Sequence, residues 1–130
     1  MIVVDASAVL DLLLRTVAAA QVESRLFEPS QTLHAPHLLD LEIAQVVRRY
    51  ERAGHLTAER GAEALADYGA LPIRRYPHIL LLERIWELRA SLTAYDGAYV
   101  ALAEALAAPL VTRDKRLAAA RGHRAVIELV

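Results

Sequence analysis

The chain contains no cysteine, which excludes a disulfide scaffold, a thiolate zinc site and cysteine catalysis. Glycine is scarce, with five residues that each stand alone, so no glycine-rich loop is available to cradle a phosphate. Long hydrophobic runs are also missing. Ile2-Val3-Val4 is cut by Asp5, and the stretch from Ala8 to Leu14 is cut by Asp11, far short of the ~20 apolar residues a membrane span needs. No basic leader precedes an apolar segment, so a cytoplasmic address with no membrane contact is the expectation. Lysine is nearly absent: of fifteen basic residues only Lys115 is a lysine. Against sixteen acids these leave a formal charge of -1. That excludes a polyanion binder that is basic throughout and confines any nucleic-acid contact to a local patch.

What remains is 130 residues, 55% hydrophobic and 24% charged. This suits one globular domain over residues 1–130 that buries about two thirds of its unfolded surface. Strand and helix signals alternate along it. Ile2-Val3-Val4 has the unbroken, valine-rich pattern of a strand buried on both faces. Ser7 is placed to cap a helix to about Leu14, and a second helix fits Val17 to Phe27. Leu33-His34-Ala35 reads as a short strand, and Pro36 as the first turn of a helix from Leu38 to about Arg52. Thr57 opens a helix to Tyr68, and Ile73 to Tyr76 reads as an edge strand. After Pro77 one helix is expected to Ser91, then another from Tyr95 to Ala107. Leu110-Val111-Thr112 is a strand, Lys115 to Ala120 a short helix and Ala125 to Leu129 a closing strand. The order predicts an α/β fold, a small parallel sheet sandwiched by helices in three α/β/α layers.

Sheets of this kind bind ligands beyond the carboxyl ends of their strands. Asp5 directly follows the first strand, and Asp114 lies two residues past Thr112. Both also suit an ordinary helix N-cap. On the helix from Leu38, the residues Leu39, Ile43, Val46 and Tyr50 share one side, and Glu42 lies between Val46 and Leu38 at the edge of that stripe. A carboxylate there is costly unless paired with an arginine or bound to a metal. Asp96 falls within Thr93-Ala94-Tyr95-Asp96, the spacing of a capping box. It also opens a helix of largely apolar residues, with Gly97-Ala98 small enough for another group to approach. Two carboxylates ~4 Å apart repel by about 4 kcal/mol at an effective dielectric of 20. Four gathered together would hold protons or require a cation, and carboxylates alone suit hard ions such as Mg²⁺ or Mn²⁺.

Taken in order, Met1-Ile2-Val3-Val4-Asp5-Ala6-Ser7-Ala8, then Leu41-Glu42-Ile43-Ala44, then Leu92-Thr93-Ala94-Tyr95-Asp96-Gly97-Ala98-Tyr99-Val100-Ala101-Leu102-Ala103, and Val111-Thr112-Arg113-Asp114 resemble the motifs of PIN-domain ribonucleases. The match is nearest to the toxin half of VapBC toxin–antitoxin pairs. The resemblance implies a PIN-like fold and an acidic pocket of Asp5, Glu42, Asp96 and Asp114 holding Mg²⁺ or Mn²⁺. Ser7 and Thr112 match small hydroxyl positions that help arrange the metal shell. It further implies hydrolysis of RNA phosphodiesters, a cognate VapB-type antitoxin that occupies the pocket, and a homodimer.

The basic residues Arg89, Arg113, Lys115 and Arg116 are candidates for steering RNA phosphate; a solvated charged surface is the plainer alternative. The helices Val17 to Phe27 and Thr57 to Tyr68 are candidate dimer faces. Asp11 and Asp40 stand outside the four-acid pattern, and Asp40, opposite its helix's apolar stripe, is expected to be solvated. The five histidines form no zinc-like pair and are expected at surface or edge positions. Trp86 and Tyr50, at helical spacing among leucines, are expected in the core. Two other readings remain: a Mg²⁺-binding phospho-receiver signalling domain, which would want adjacent acids after the first strand, and a PIN-like binding module without activity.

Overall fold

A computed structural model describes residues 1–130. Five strands form one parallel sheet: β1 (Ile2–Val4), β2 (Leu33–Pro36), β3 (Ile73–Tyr76), β4 (Leu110–Thr112) and β5 (Ile127–Leu129), in the order β3-β2-β1-β4-β5. All three residues of β1 are inaccessible to solvent, as an unbroken Ile-Val-Val run at the centre of a two-sided sheet requires. Val3 faces His34 of β2 on one side and Leu110 of β4 on the other. The edge strand β3 instead alternates, with Ile73 buried and Arg74 exposed.

From β1 the chain first builds outward to β2 and β3, then returns to lay β4 and β5 on the other side. With the right-handed crossovers that parallel strands favour, the reversal sends later helices to the opposite face. Accordingly α1 (Ala6–Leu13), α2 (Ala19–Leu26), α3 (Leu38–Arg52) and α4 (Ala58–Ala70) pack among themselves. On the other side α5 (Leu82–Glu87) packs on α6 (Ala94–Leu106), and α6 lies across β1, β2 and β4. The short α7 (Lys115–Ala118) joins β4 to β5. No helix is long and apolar enough to cross a membrane.

The five strands and the three layers follow the sequence expectation, while several local details differ. Asp5 rather than Ser7 caps α1, its carboxylate accepting from the Ala8 amide at 3.1 Å. Asp5 is the last extended residue after β1, and that backbone conformation is the one an N-cap needs. Pro36 ends β2, paired with Tyr76, and does not open α3; the free amide of Leu38 is taken instead by His78 Nε2 at 2.8 Å. The second helix starts at Ala19, leaving Val17 in solvent. The stretch after Pro77 is not one helix: a 3-10 turn (His78–Leu81) leads into the brief α5.

Helical spacing misplaced Trp86, which is 67% exposed, and Tyr50, at 36%. α5 buries Ile85 and turns Leu82 and Trp86 outward, whereas α3 buries Leu39, Ile43 and Val47 and leaves Tyr50 past the end of the packed stripe. Asp40, expected in solvent, keeps 42% of its side chain exposed but is also paired. It accepts from Tyr68 Oη at 2.5 Å and from Arg75 Nε at 2.7 Å, because α4 and β3 pack on a flank that a single-helix wheel treats as water. Nor is His34 a surface histidine. It is buried in β2 between Thr32 Oγ1 and Tyr76 Oη, at 2.8 and 2.7 Å.

Candidate active site

The strand order reverses at β1 and β4, which neighbour each other yet lead to helices on opposite faces. A crevice at such a switch point is where open α/β sheets place ligands. Asp5 leaves the carboxyl end of β1 and Asp114 the carboxyl end of β4. A hydroxyl network joins the two ends. Thr112 Oγ1 donates to Asp5 Oδ2 at 2.6 Å and Ser7 Oγ to Asp5 Oδ1 at 2.7 Å. The Arg113 amide donates to Ser7 Oγ at 2.8 Å, and the Asp114 amide to Thr112 Oγ1 at 2.9 Å. Asp5 is thereby fixed at both oxygens, although burial pushes its carboxyl above the usual range and the Asp114 charge adds to the rise.

Asp114 serves as helix cap as well as cluster member, accepting from the Arg116 amide at 2.8 Å and the Leu117 amide at 3.4 Å. Burial works against its ionisation, but these amides and the Arg116 guanidinium outweigh it and hold the carboxyl below its ordinary value. Asp96 opens α6, where Thr93 Oγ1 accepts from the Asp96 amide at 3.1 Å, half of the predicted capping box. Its own carboxyl is pushed up by burial and by the charge of Asp114. The small residues after it serve packing: a Cβ on Gly97 would meet Ile85 of α5 at 3.5 Å.

Glu42 comes from α3. Its Oε1 is buried with no hydrogen-bond partner, and burial, then Asp5 and Asp96, push its carboxyl above the usual range. The four acids thus sense one another across two helices and two strand ends. No three of them yet stand close enough to share one ion, but the donor set fits a hard cation. It is all carboxylate, with ionisation opposed by like charge at three of the four positions and one oxygen left unpaired.

The basic candidates are dispersed. Arg113 is engaged by Asp11, Nε to Oδ2 at 2.8 Å, and by the carbonyl of Val130. Arg116 leans on Asp114 at 3.3 Å, Lys115 is exposed beside it, and Arg89 stacks over the Trp86 ring at 4.5 Å. A groove of about 480 Å³ opens at Glu42, walled by Leu38, Leu41, Arg49 and Tyr95. Through Leu38 and Tyr95 it continues into a second groove of about 210 Å³ against Leu82 and Ile85. Leu41, Leu82 and Tyr95, which wall these grooves, are exposed, as are Ile79 and Leu80 in the 3-10 turn and Trp86 in α5. The two segments named from sequence as dimer faces expose fewer large apolar residues: Val17 and Phe27 at the ends of the first and Leu65 on the second. Tyr99, read from sequence as core, is buried beside Glu42 with its hydroxyl unpaired. Its spacing of three from Asp96 was the available signal.

Comparisons with known proteins agree with this picture. The PIN domain family model matches residues 2–122. Ribonuclease VapC9 of Mycobacterium tuberculosis is 50% identical over 117 residues, covering 90% of this chain and 88% of that protein. Ribonuclease VapC12 of the same organism is 43% identical over 130 residues, covering 100% and 99%. Among solved structures, VapBC2 from Rickettsia felis, bound to a DNA fragment from its promoter, superposes with a TM-score of 0.70 at 14% identity, covering 99% of this chain and 98% of that one.

Proposed function

Because the chain belongs to the PIN-domain family, within its VapC ribonuclease branch, we propose that it is a cation-dependent endoribonuclease toxin, a single domain over residues 1–130 acting in the cytoplasm and silenced by a VapB-type antitoxin. The observation that supports the reading is the buried, unsatisfied oxygen of Glu42, which feels the charges of Asp5 and Asp96 while Asp5 and Asp114 leave adjacent strand ends at the switch point.

Asp5, Glu42, Asp96 and Asp114 would hold Mg²⁺ or Mn²⁺, which when bound supplies an activated water and counter-charge for the RNA phosphate. The chain's own contribution is preorganisation and proton handling. Ser7 and Thr112 fix Asp5 at both oxygens, and the start of α7 fixes Asp114. Glu42 and Asp96, raised by burial and like charge, are suited to accept the proton that the attacking water gives up, and a proton held there is available to the departing ribose oxygen. Lys115 and Arg116, exposed beside Asp114, draw phosphate toward an otherwise anionic pocket. Arg89, exposed above Trp86, offers a more distant contact, and Arg113 acts by bracing Asp11 and the last residue.

The antitoxin silences the site by placing a basic side chain among the acids. The apolar surface of Leu41, Leu80, Leu82, Trp86 and Tyr95 pairs two copies into a homodimer, since contiguous exposed apolar surface marks an interaction site. RNA cleavage by chain purified free of partner, with Mg²⁺ or Mn²⁺, should fall on the order of 10²–10⁴-fold in Asp5→Asn and Asp96→Asn. Equal cleavage by all three proteins removes the proposed chemistry, and no cleavage by any of them leaves a binding module. Light scattering should report a dimer that Leu80→Asp dissociates; an unchanged mass sinks the assigned surface.

A further inference from the structure

A carboxylate that ligates a cation is ordinarily steadied by a second hydrogen bond directed away from the ion. Three of the four acids have a local donor or partner. Asp5 has Ser7, Thr112 and the Ala8 amide; Asp114 has the first amides of α7; Asp96 adjoins its cap, Thr93. Glu42 is different, because its Oε1 is buried and bonded to nothing.

Tyr99 stands on α6 three residues beyond Asp96, so both side chains leave the helix on the same side. Only 2% of it is exposed. A tyrosine this deep ordinarily finds a partner for its hydroxyl, yet Tyr99 Oη has none. Four buried side-chain atoms in the molecule lack a partner, and two of them are Oε1 of Glu42 and Oη of Tyr99. One accepts and the other donates. They also feel one another: after burial, the charges of Glu42 and Asp5 push the Tyr99 hydroxyl far above its ordinary value, and that hydroxyl opposes the rise at Glu42.

We propose that Tyr99 is the positioning residue for Glu42: its buried hydroxyl donates to Oε1 and leaves the other carboxylate oxygen free for the cation. The proposal rests on the cation-binding reading of the acid cluster. Tyr99 touches neither RNA nor ion; it acts through Glu42 alone. The bond tightens when the carboxylate is held fully ionised, because a charged acceptor strengthens it.

Calorimetric titration of Mn²⁺ into the full chain tests this, comparing wild type, Tyr99→Phe, Glu42→Gln and the double variant. Wild type is expected to bind, and Tyr99→Phe to bind about tenfold more weakly while its metal-free Tm does not fall. In the Glu42→Gln background, Tyr99→Phe should change nothing further. Equal affinity of wild type and Tyr99→Phe overturns the proposal, as do independent, additive losses in the double variant. If wild type and Glu42→Gln both ignore Mn²⁺, the cation reading itself fails, a different result from a Tyr99 without influence. Should Tyr99→Phe not fold, wild type alone still decides by proton NMR with Mg²⁺. A solvent-protected hydroxyl proton with cross-peaks to the Tyr99 ring, shifting downfield as Mg²⁺ is added, supports the assignment. A hydroxyl proton that remains in fast exchange at saturating Mg²⁺ overturns it.

Discussion

Glu42 and Glu104 are both helical glutamates turned away from bulk water, and their surroundings are opposites. The Glu104 side chain, 6% exposed, is gripped by Arg84 through Nε at 2.7 Å and Nη2 at 3.1 Å, and by the Arg124 amide at 2.7 Å. The Arg84 hydrogen bonds outweigh burial and hold its carboxyl below the ordinary range. Around Glu42 the nearby charges are more acids, and burial drives its carboxyl up. The same residue type is neutralised by arginine in one place and left among like charges in the other, the environment the proposed cation would relieve. Asp40, held by Tyr68 and Arg75, belongs with Glu104. Asp5 and Asp96, raised by burial and by the charge of Asp114, belong with Glu42, whereas Asp114 is itself lowered by its helix amides and Arg116.

The sharpest break between the two classes is functional. Glu42→Gln should lower RNA cleavage on the order of 10²-fold or more, while Glu104→Ala retains the activity of whatever fraction is folded; equal losses would erase the distinction. The next effect is on stability in cation. Saturating Mn²⁺ should stabilise wild type and Glu104→Ala, by about 2.7 kcal/mol at one hundred times Kd, and leave Glu42→Gln nearly unmoved, as read by thermal melts. Without cation the two substitutions should act with opposite sign: Glu104→Ala lowers Tm by roughly 5 °C, and Glu42→Gln raises it by roughly 3 °C at pH 7. A fall in both melts would mean that a positive charge already compensates Glu42.

The smallest effect is the pH dependence of that contrast. A carboxyl raised in the folded state adds stability that is complete below its ordinary value of 4.5 and is withdrawn as pH climbs through the folded value. The advantage of Glu42→Gln should therefore vanish near pH 4 and grow toward neutrality. Glu104 is depressed in the folded state, so its contribution is complete above 4.5 and disappears only as pH falls through a lower folded value. The deficit of Glu104→Ala should hold steady from pH 7 to 5 and narrow below that. Denaturant melts across this range measure both.

Much of this arrangement was readable before any coordinates. Ile2-Val3-Val4 and Leu110-Val111-Thr112 announce buried strands because unbroken β-branched runs suit little else, and the acids that follow them land at a parallel sheet's functional edge by topology alone. Glu42 was visible as a charge beside an apolar stripe. What stayed hidden needed a second surface. A helical wheel assumes one contact face, so it could not show that Asp40, still partly in water, meets Tyr68 of α4 and Arg75 of β3, and it placed Trp86 in a core that α5 is too short to cover. Tyr99 looked like one more packed residue because hydrophobic spacing does not record whether a hydroxyl has a partner. The Glu104 network was missed for a related reason: Arg84 and Arg124 lie 20 residues away on either side, and no local pattern links them.

The bond from Thr112 to Asp5 closes a loop of 107 residues between the first strand made and the fourth. During synthesis the amino-terminal acid emerges early and waits, since its neighbour on the sheet is specified near the other end of the message. A growing polypeptide therefore cannot join these two strand ends until nearly all of it has left the ribosome.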